Sequence, residues 1–344
     1  MSALLEMSGV SRDFTMHRSL LDKFAGRPAE RVRAVTDVDL AIAPGECLGL
    51  IGESGCGKST LGRLALRLRE PTAGAVRFAG TDLGALDAPA LAALRPRMQI
   101  IFQDPYASLN PRRNVEEIVG LPLRLHERLT RTQRRERVME AIEWVGLGAQ
   151  HLQRYPHQFS GGQRQRVGIA RALVLRPEFV VCDEPVSALD VSVQAQIVAL
   201  LARLRKELGL AYLFISHDIA VVAHLSDRIA VMYLGRIVES GPARAIVDAP
   251  RHPYTQALLS AVPRAHGPRL ERIRLAGDPP SALHPPTGCA FHTRCPHAMP
   301  ICSSVTPPLI ETERSRFVAC HLYPASAPGG LAPHPQKEIT TCNP

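Results

Sequence analysis

The sequence predicts an α/β protein built on a mainly parallel sheet. Three observations lead there. Short apolar runs alternate with longer amphipathic ones along most of the chain. One such run, "CLGLI", leads straight into "GESGCGKST" at 52–60, a glycine-bearing loop that opens a helical segment. Finally, 45% of the 344 residues are hydrophobic, enough for a full core. Strands covered on both faces read as unbroken apolar runs, and surface helices as stripes of period 3.6. Their alternation implies a sheet with helices on both sides.

The elements follow in order. Residues 34–51 read as two strands, "AVTDVDLAI" and "CLGLIG", joined by the turn "APGE". "GKSTLGRLALRL" follows as a helix ending near Pro71. "MQIIFQ" at 98–103 is a short buried strand. From about 104 to 158 helical segments dominate, "NVEEIVGLPLRL" and "RTQRRERVMEAIEWVG", separated by Pro and Gly. This stretch reads as a helical insertion between two parts of an α/β core, 1–103 and 159–250. "GGQRQRVGIARALVL" is a helix, "EFVVCDEP" a strand, "VSVQAQIVALLARLRKEL" a helix and "AYLFIS" a strand. "RIAVMYLGRIVESG" reads as a hairpin. Past 250 the chain turns Pro- and His-rich, and five of the eight cysteines lie beyond residue 288. Residues 326–344 have the composition of a disordered tail.

The bulk properties limit the function. No apolar run reaches the ~18 residues of a membrane span, and "MSALLEMSGVSRDF" lacks the charged and apolar regions of a signal peptide. A cytoplasmic protein is expected, one still able to dock on a membrane protein. The net charge of +9 admits nucleic acid, an anionic membrane surface, an anionic ligand or a solvated basic exterior. In the densest basic stretch, 124–138, Glu127 and Glu136 interrupt the arginines, which suits a helix surface.

"GESGCGKST" fits G-x-x-x-x-G-K-[ST] through Gly52, Gly57, Lys58 and Ser59, between a strand and a helix as the motif requires. Its backbone N–H groups, with Ser54, Gly55, Cys56 and Thr60 alongside, are expected to cradle phosphates at a helix N-terminus. Lys58 is expected to bridge the β- and γ-phosphates, and the Ser59 hydroxyl to ligate Mg²⁺. "FVVCDEP" runs an apolar strand into two carboxylates. Asp183 is expected to be the metal-side carboxylate, and Glu184 the general base or water-orienting group.

A second glycine-bearing helix start, "FSGGQRQRVGIARAL" at 159–173, needs its own explanation. Taken alone it is a serine-capped helix. With "FQDP" at 102–105, "SALD" at 187–190 and "ISHD" at 215–218, it resembles the signature of ABC-type ATPases, over residues 5–265. The resemblance implies a RecA-like P-loop core with an antiparallel β layer and a helical subdomain. It implies two such domains head to tail, with ATP between the phosphate loop of one and Ser160, Gly161, Gly162 and Gln163 of the other. Gln103 then contacts Mg²⁺ or the attacking water, His217 the γ-phosphate, and Asp190 the dimer seam. Phe14 is either the adenine-stacking aromatic or a core residue.

"RHPYTQALLSAVP" and "GCAFHTRCPHAMPICSSVTPPL…VACH" resemble the C-terminal extension of oligopeptide and dipeptide importer ATPases, placed at 251–325. The implied assembly has a second, related ATPase, two membrane permease subunits and an extracytoplasmic solute-binding protein. This chain would lie peripherally on the cytoplasmic face of the inner membrane. Nickel, glutathione and other small solutes are alternative cargoes. A soluble ABC ATPase on nucleic acid or the ribosome is a rival, although there is one cassette and no heptad run. Cys289, Cys295, Cys302 and Cys320 span about 32 residues and are soft donors. They are read as an iron–sulfur ([4Fe–4S], as in some relatives) or zinc site, or as free thiols. Cys56 is expected to be oxidation-sensitive, because a helix N-terminus lowers a thiol pKa.

Overall fold

The structure is a computed structural model that describes residues 3–15, 30–261, 273–275 and 277–323. The expected tail, Cys342 and residues 16–29 lie outside these residues. The chain begins with β1 (Leu5–Thr15) and β2 (Arg31–Ile42), paired antiparallel with Leu5 opposite Ile42. β3 (Cys47–Ile51) feeds α1 (Lys58–Ala65). The helix stops well before Pro71, because Arg67 turns the chain at φ 48° and its N–H goes back to the Leu64 carbonyl. β4 (Ala73–Phe78), β5 (Thr81–Asp82) and α2 (Ala88–Leu94) lead to β6 (Met98–Ile101). Three helices follow, α3 (Pro105–Ser108), α4 (Val115–His126) and α5 (Arg131–Trp144). The larger two start at capping boxes, Asn114 with Glu117 and Thr130 with Gln133.

Next come α6 (Gly161–Leu173), β7 (Phe179–Asp183), α7 (Val191–Leu208), β8 (Ala211–Ile215) and α8 (Ile219–Leu225). The hairpin expected over 228–241 forms as β9 (Arg228–Tyr233) and β10 (Arg236–Pro242). α9 (Ala243–Asp248), α10 (Pro253–Ser260), β11 (Ile310–Glu313) and β12 (Arg316–Val318) complete the described elements. The strands make two sheets. One is β2-β1-β4-β5; the other is β11-β12-β10-β9-β3-β8-β7-β6. In the larger sheet β9, β3, β8, β7 and β6 run parallel.

The strands on either side of the "APGE" turn therefore part company. β2 buries alternate residues, Val38, Leu40 and Ile42, and suits a layer with one covered face. β3 buries all five residues and goes to the middle of the parallel sheet. There its side chains divide by period two. Leu48 and Leu50 face the core shared with α1 and the small sheet, while Cys47 and Ile51 face the core under α4 to α8. β7 and β8 divide the same way, Val181 and Leu213 to one side and Cys182 and Phe214 to the other.

Beyond α10 the chain is pinned to the sheet edge. β12 pairs with β10 through Glu239 opposite Val318. Glu239 is fully buried and accepts hydrogen bonds from the Arg251 and His252 N–H groups at 2.9 Å and from the Arg316 guanidinium at 3.3 Å.

Candidate functional site

Parallel strands deliver their C-terminal ends to one edge, and ligands bind in the crevice outside that edge. Here β3, β6, β7 and β8 bring the glycine-rich loop, Gln103, Asp183–Glu184 and His217 to one place. The loop fits only with glycine at its last turn. Gly57 caps α1 at φ 110°, and a Cβ there would fall 2.1 Å from the Ala34 carbonyl oxygen. Lys58 is 5% exposed. Its ammonium donates to the Gly52 and Glu53 carbonyls at 2.8 and 2.9 Å, so its charge is held inside the loop.

Ser59 Oγ donates to Asp183 Oδ1 at 2.7 Å. Burial pushes the Asp183 carboxyl up from its ordinary range; the Ser59 bond and the Arg63 charge pull the other way. A hydroxyl beside a buried carboxylate is a hard oxygen pair of the kind Mg²⁺ prefers. Glu184 is set differently. Its φ is +48°, a left-handed conformation that costs an L-residue on the order of 1 kcal/mol. That turn separates it from β7, and its N–H is held by the Ile215 carbonyl at 3.0 Å. Its Oε2 accepts from Gln103 Nε2 at 2.9 Å and lies 3.4 Å from His217 Nδ1. The two neighbouring loops therefore grip one carboxylate oxygen.

These groups line a cleft of about 920 Å³. Ser54, Gly55, Gly57, Lys58, Ser59 and Thr60 form one wall, and Gln103, Glu184 and His217 another. Asp183 reaches it through Ser59. Sequence reasoning missed several lining residues. Val32, Ala34, Ser187, Ala188 and Asp104 are there, and so is Ala282, from far down the chain. Asp104 and Ser187 sat inside quoted motifs. Ala282 left no signal, since only folding brings its carbonyl to the Arg33 N–H at 3.2 Å.

Other expected residues lie away from the cleft. Phe14 is half-buried in β1, opposite Val32, with the Arg12 guanidinium 4.9 Å over its ring. Ser160 and Gln163 cap α6 reciprocally, at 3.3 and 3.1 Å. Gly162 has a packing role the sequence did not reveal, since a Cβ there would meet Val193 of α7 at 2.4 Å. Asp190 is exposed at the start of α7, and Val191 beside it is 81% exposed. Cys56 corrects an expectation. It is buried under the loop, and desolvation raises its thiol pKa despite the Lys58 charge. The helix N-terminus does not make it a ready thiolate.

The seven described cysteines are free thiols. Cys289, Cys295, Cys302 and Cys320 do gather. The Cys289 N–H donates to the Cys302 carbonyl at 2.8 Å. Burial pushes the Cys320 thiol up to about 11, against the pull of a backbone hydrogen bond at Leu322; the other three cysteines add smaller upward contributions. Yet among the described residues no group of three or more His, Cys, Asp or Glu side chains is placed to hold a metal ion. Cys302 Sγ instead accepts the Met299 N–H at 3.4 Å.

Comparison with known proteins agrees with this geometry. Residues 35–187 match the ABC transporter family model. Residues 238–302 match that of the oligopeptide/dipeptide transporter C-terminal region. The chain is 50% identical to the oligopeptide transport ATP-binding protein AppF of Bacillus subtilis, over 93% of this chain and 97% of that protein. It is 50% identical to the dipeptide transport ATP-binding protein DppF of Escherichia coli, over 85% and 88%. Its fold matches the dimeric ATP-binding cassette MJ0796 bound to ADP and Pi, with TM-score 0.61 and 30% identity over 70% of this chain and 99% of that one. The chain belongs to the ABC transporter family, carries the C-terminal region of its oligopeptide/dipeptide members, and is an ABC-type ATPase.

Proposed function

We propose that this chain is the ATP-hydrolysing subunit of a peptide importer, closing on ATP with a second ATPase beneath two membrane permeases. A solute-binding protein outside the membrane delivers the cargo, and the chain works peripherally on the cytoplasmic face. Peptide cargo is supported by the names of the relatives; nickel and glutathione are the alternatives. Nucleic acid is not expected as a partner. Among the described residues no helix is long and apolar enough to cross a membrane, so contact with the bilayer would come through the permeases. Their docking surface is proposed to lie on the helical stretch 104–158.

One observation carries the hydrolytic part: Glu184 is held by Gln103 and His217 one residue after the carboxylate that binds Ser59. Lys58 and the loop N–H groups bind the phosphates. Ser59, Asp183 and Gln103 would hold Mg²⁺, which when bound would neutralise phosphate charge. Glu184 orients the attacking water and takes its proton. Gln103 and His217 fix the Glu184 carboxylate and report the γ-phosphate. Ser160, Gly161, Gly162 and Gln163 complete the partner's site, with Asp190 at the seam. Phe14 does not line the cleft itself, but it sits in β1 opposite Val32, which does, and is the candidate to stack on adenine. Glu184→Gln should bind Mg-ATP normally, lower phosphate release at least about 100-fold, and trap a dimer on size-exclusion. Undiminished turnover would overturn the assignment.

A soft metal centre at Cys289, Cys295, Cys302 and Cys320, [4Fe–4S] or Zn²⁺, is the finer part of the proposal. Donor chemistry alone supports it: four soft thiol donors fall within one short segment of the extension. Loading would draw them together and release their protons. Protein purified without oxygen should contain iron with acid-labile sulfide, or zinc; none of these would end the reading.

A further inference from the structure

We propose that the C-terminal extension braces the phosphate loop, with Arg294 and Tyr254 acting on Glu53 as positioning residues for nucleotide binding. The inference rests on the reading that this loop binds Mg-ATP. Glu53 is the second residue of the loop and is held twice. Its backbone N–H donates to Tyr254 Oη at 2.9 Å. Its carboxylate accepts from Arg294 Nη1 at 3.0 and 3.2 Å. The Arg294 side chain is 7% exposed and that of Glu53 26%, so the charged pair is largely shielded from solvent and salt.

The restraint reaches the lysine. The carbonyls that receive the Lys58 ammonium belong to Gly52 and Glu53. The residue that positions the lysine is thus itself fixed by partners 201 and 241 residues further along the chain. Those partners are stiff. Tyr254 of α10 is fully buried, its ring 4.6 Å from Tyr233 of β9 and 5.4 Å from Phe291. Phe291 meets Tyr233 edge-on at 5.3 Å, and its carbonyl accepts the Arg294 N–H at 3.0 Å. One aromatic group therefore carries both contacts to Glu53. A glycine-rich loop loses much conformational freedom when it orders around phosphates. Fixing Glu53 beforehand removes part of that cost, so the brace should tighten binding. It touches neither Glu184 nor Gln103, so turnover at saturating ATP should hardly change.

The test uses the full chain, a fluorescent ATP analogue for Kd, steady-state kcat and KM, and thermal midpoints. Arg294→Gln should raise Kd and KM about tenfold, the scale of one charge-assisted bond. At saturation kcat should stay within about twofold. Glu53→Gln should do the same, and the double variant should be no worse than either single one. Arg294→Lys should recover part of the loss, since it keeps the charge but not the planar guanidinium that places one nitrogen on both Glu53 oxygens. Tyr254→Phe keeps the ring packing and should give a smaller rise. If Arg294→Gln does not fold, Glu53→Gln carries the test from the more exposed side. Unchanged Kd in the single variants, strictly additive effects, or lost thermal stability with Kd intact would overturn the brace. Failure of the wild-type chain to bind the analogue would instead sink the reading beneath it.

Discussion

Asp183 and Glu184 are adjacent in sequence and opposite in setting. Asp183 ends a strand, is 3% exposed, and is pushed up by burial. Glu184 leaves the strand on a left-handed turn and faces the cleft. The raised Asp183 carboxyl has a consequence for stability. A group that ionises less readily in the fold than at its ordinary 3.8 costs stability as pH climbs above that value, and the cost persists at neutral pH. Asp183→Asn should therefore raise the thermal midpoint of the nucleotide-free protein at pH 7 and leave it unchanged near pH 3. The same variant should lower Mg-ATP hydrolysis about 100-fold or more. A scan at the two pH values, beside a phosphate-release assay, checks both arms.

Among the elements, β10 and β12 decide whether the extension stays attached. Their pairing is short, two residue pairs. The buried Glu239–Arg316 contact does more, because Glu239 also ties down the start of the segment that carries α10. Arg316→Ala would leave a buried carboxylate with no cation, a loss of about 3–5 kcal/mol. A urea denaturation midpoint reads this, and Glu239→Gln added to Arg316→Ala should recover part of it. The helices make a related point. α6 carries its own cap in Ser160 and Gln163, so its N–H groups are ordered before any ligand arrives. Gly162 lets α6 lie against α7, so part of the glycine signature serves packing.

At the scale of the whole molecule, the cleft is one-sided. It offers the phosphate loop, Glu184 and His217, while Ser160 to Gln163 lie elsewhere. Ser160→Arg should leave ATP-analogue binding to the isolated chain intact and lower hydrolysis by the assembled pair about 100-fold or more; titration and turnover on one preparation separate the two. The sequence by itself determined the sheet edge where the candidate site forms. "GESGCGKST", "FQDP" and "ISHD" each follow an apolar run and "FVVCDEP" begins with one, and parallel strands must end on the same side. Local chemistry was enough there, because each motif carries its own strand, turn and helix start. It missed β1, β4 and the extension's strands, whose runs are shorter or interrupted by polar residues. It also could not tell that the strands flanking "APGE" enter different sheets. Only the tertiary structure decided how the distant extension meets the nucleotide loop. Arg294 on Glu53 and Ala282 in the cleft wall are contacts between segments far apart in the chain, and no local pattern encodes which of them the packed core brings together.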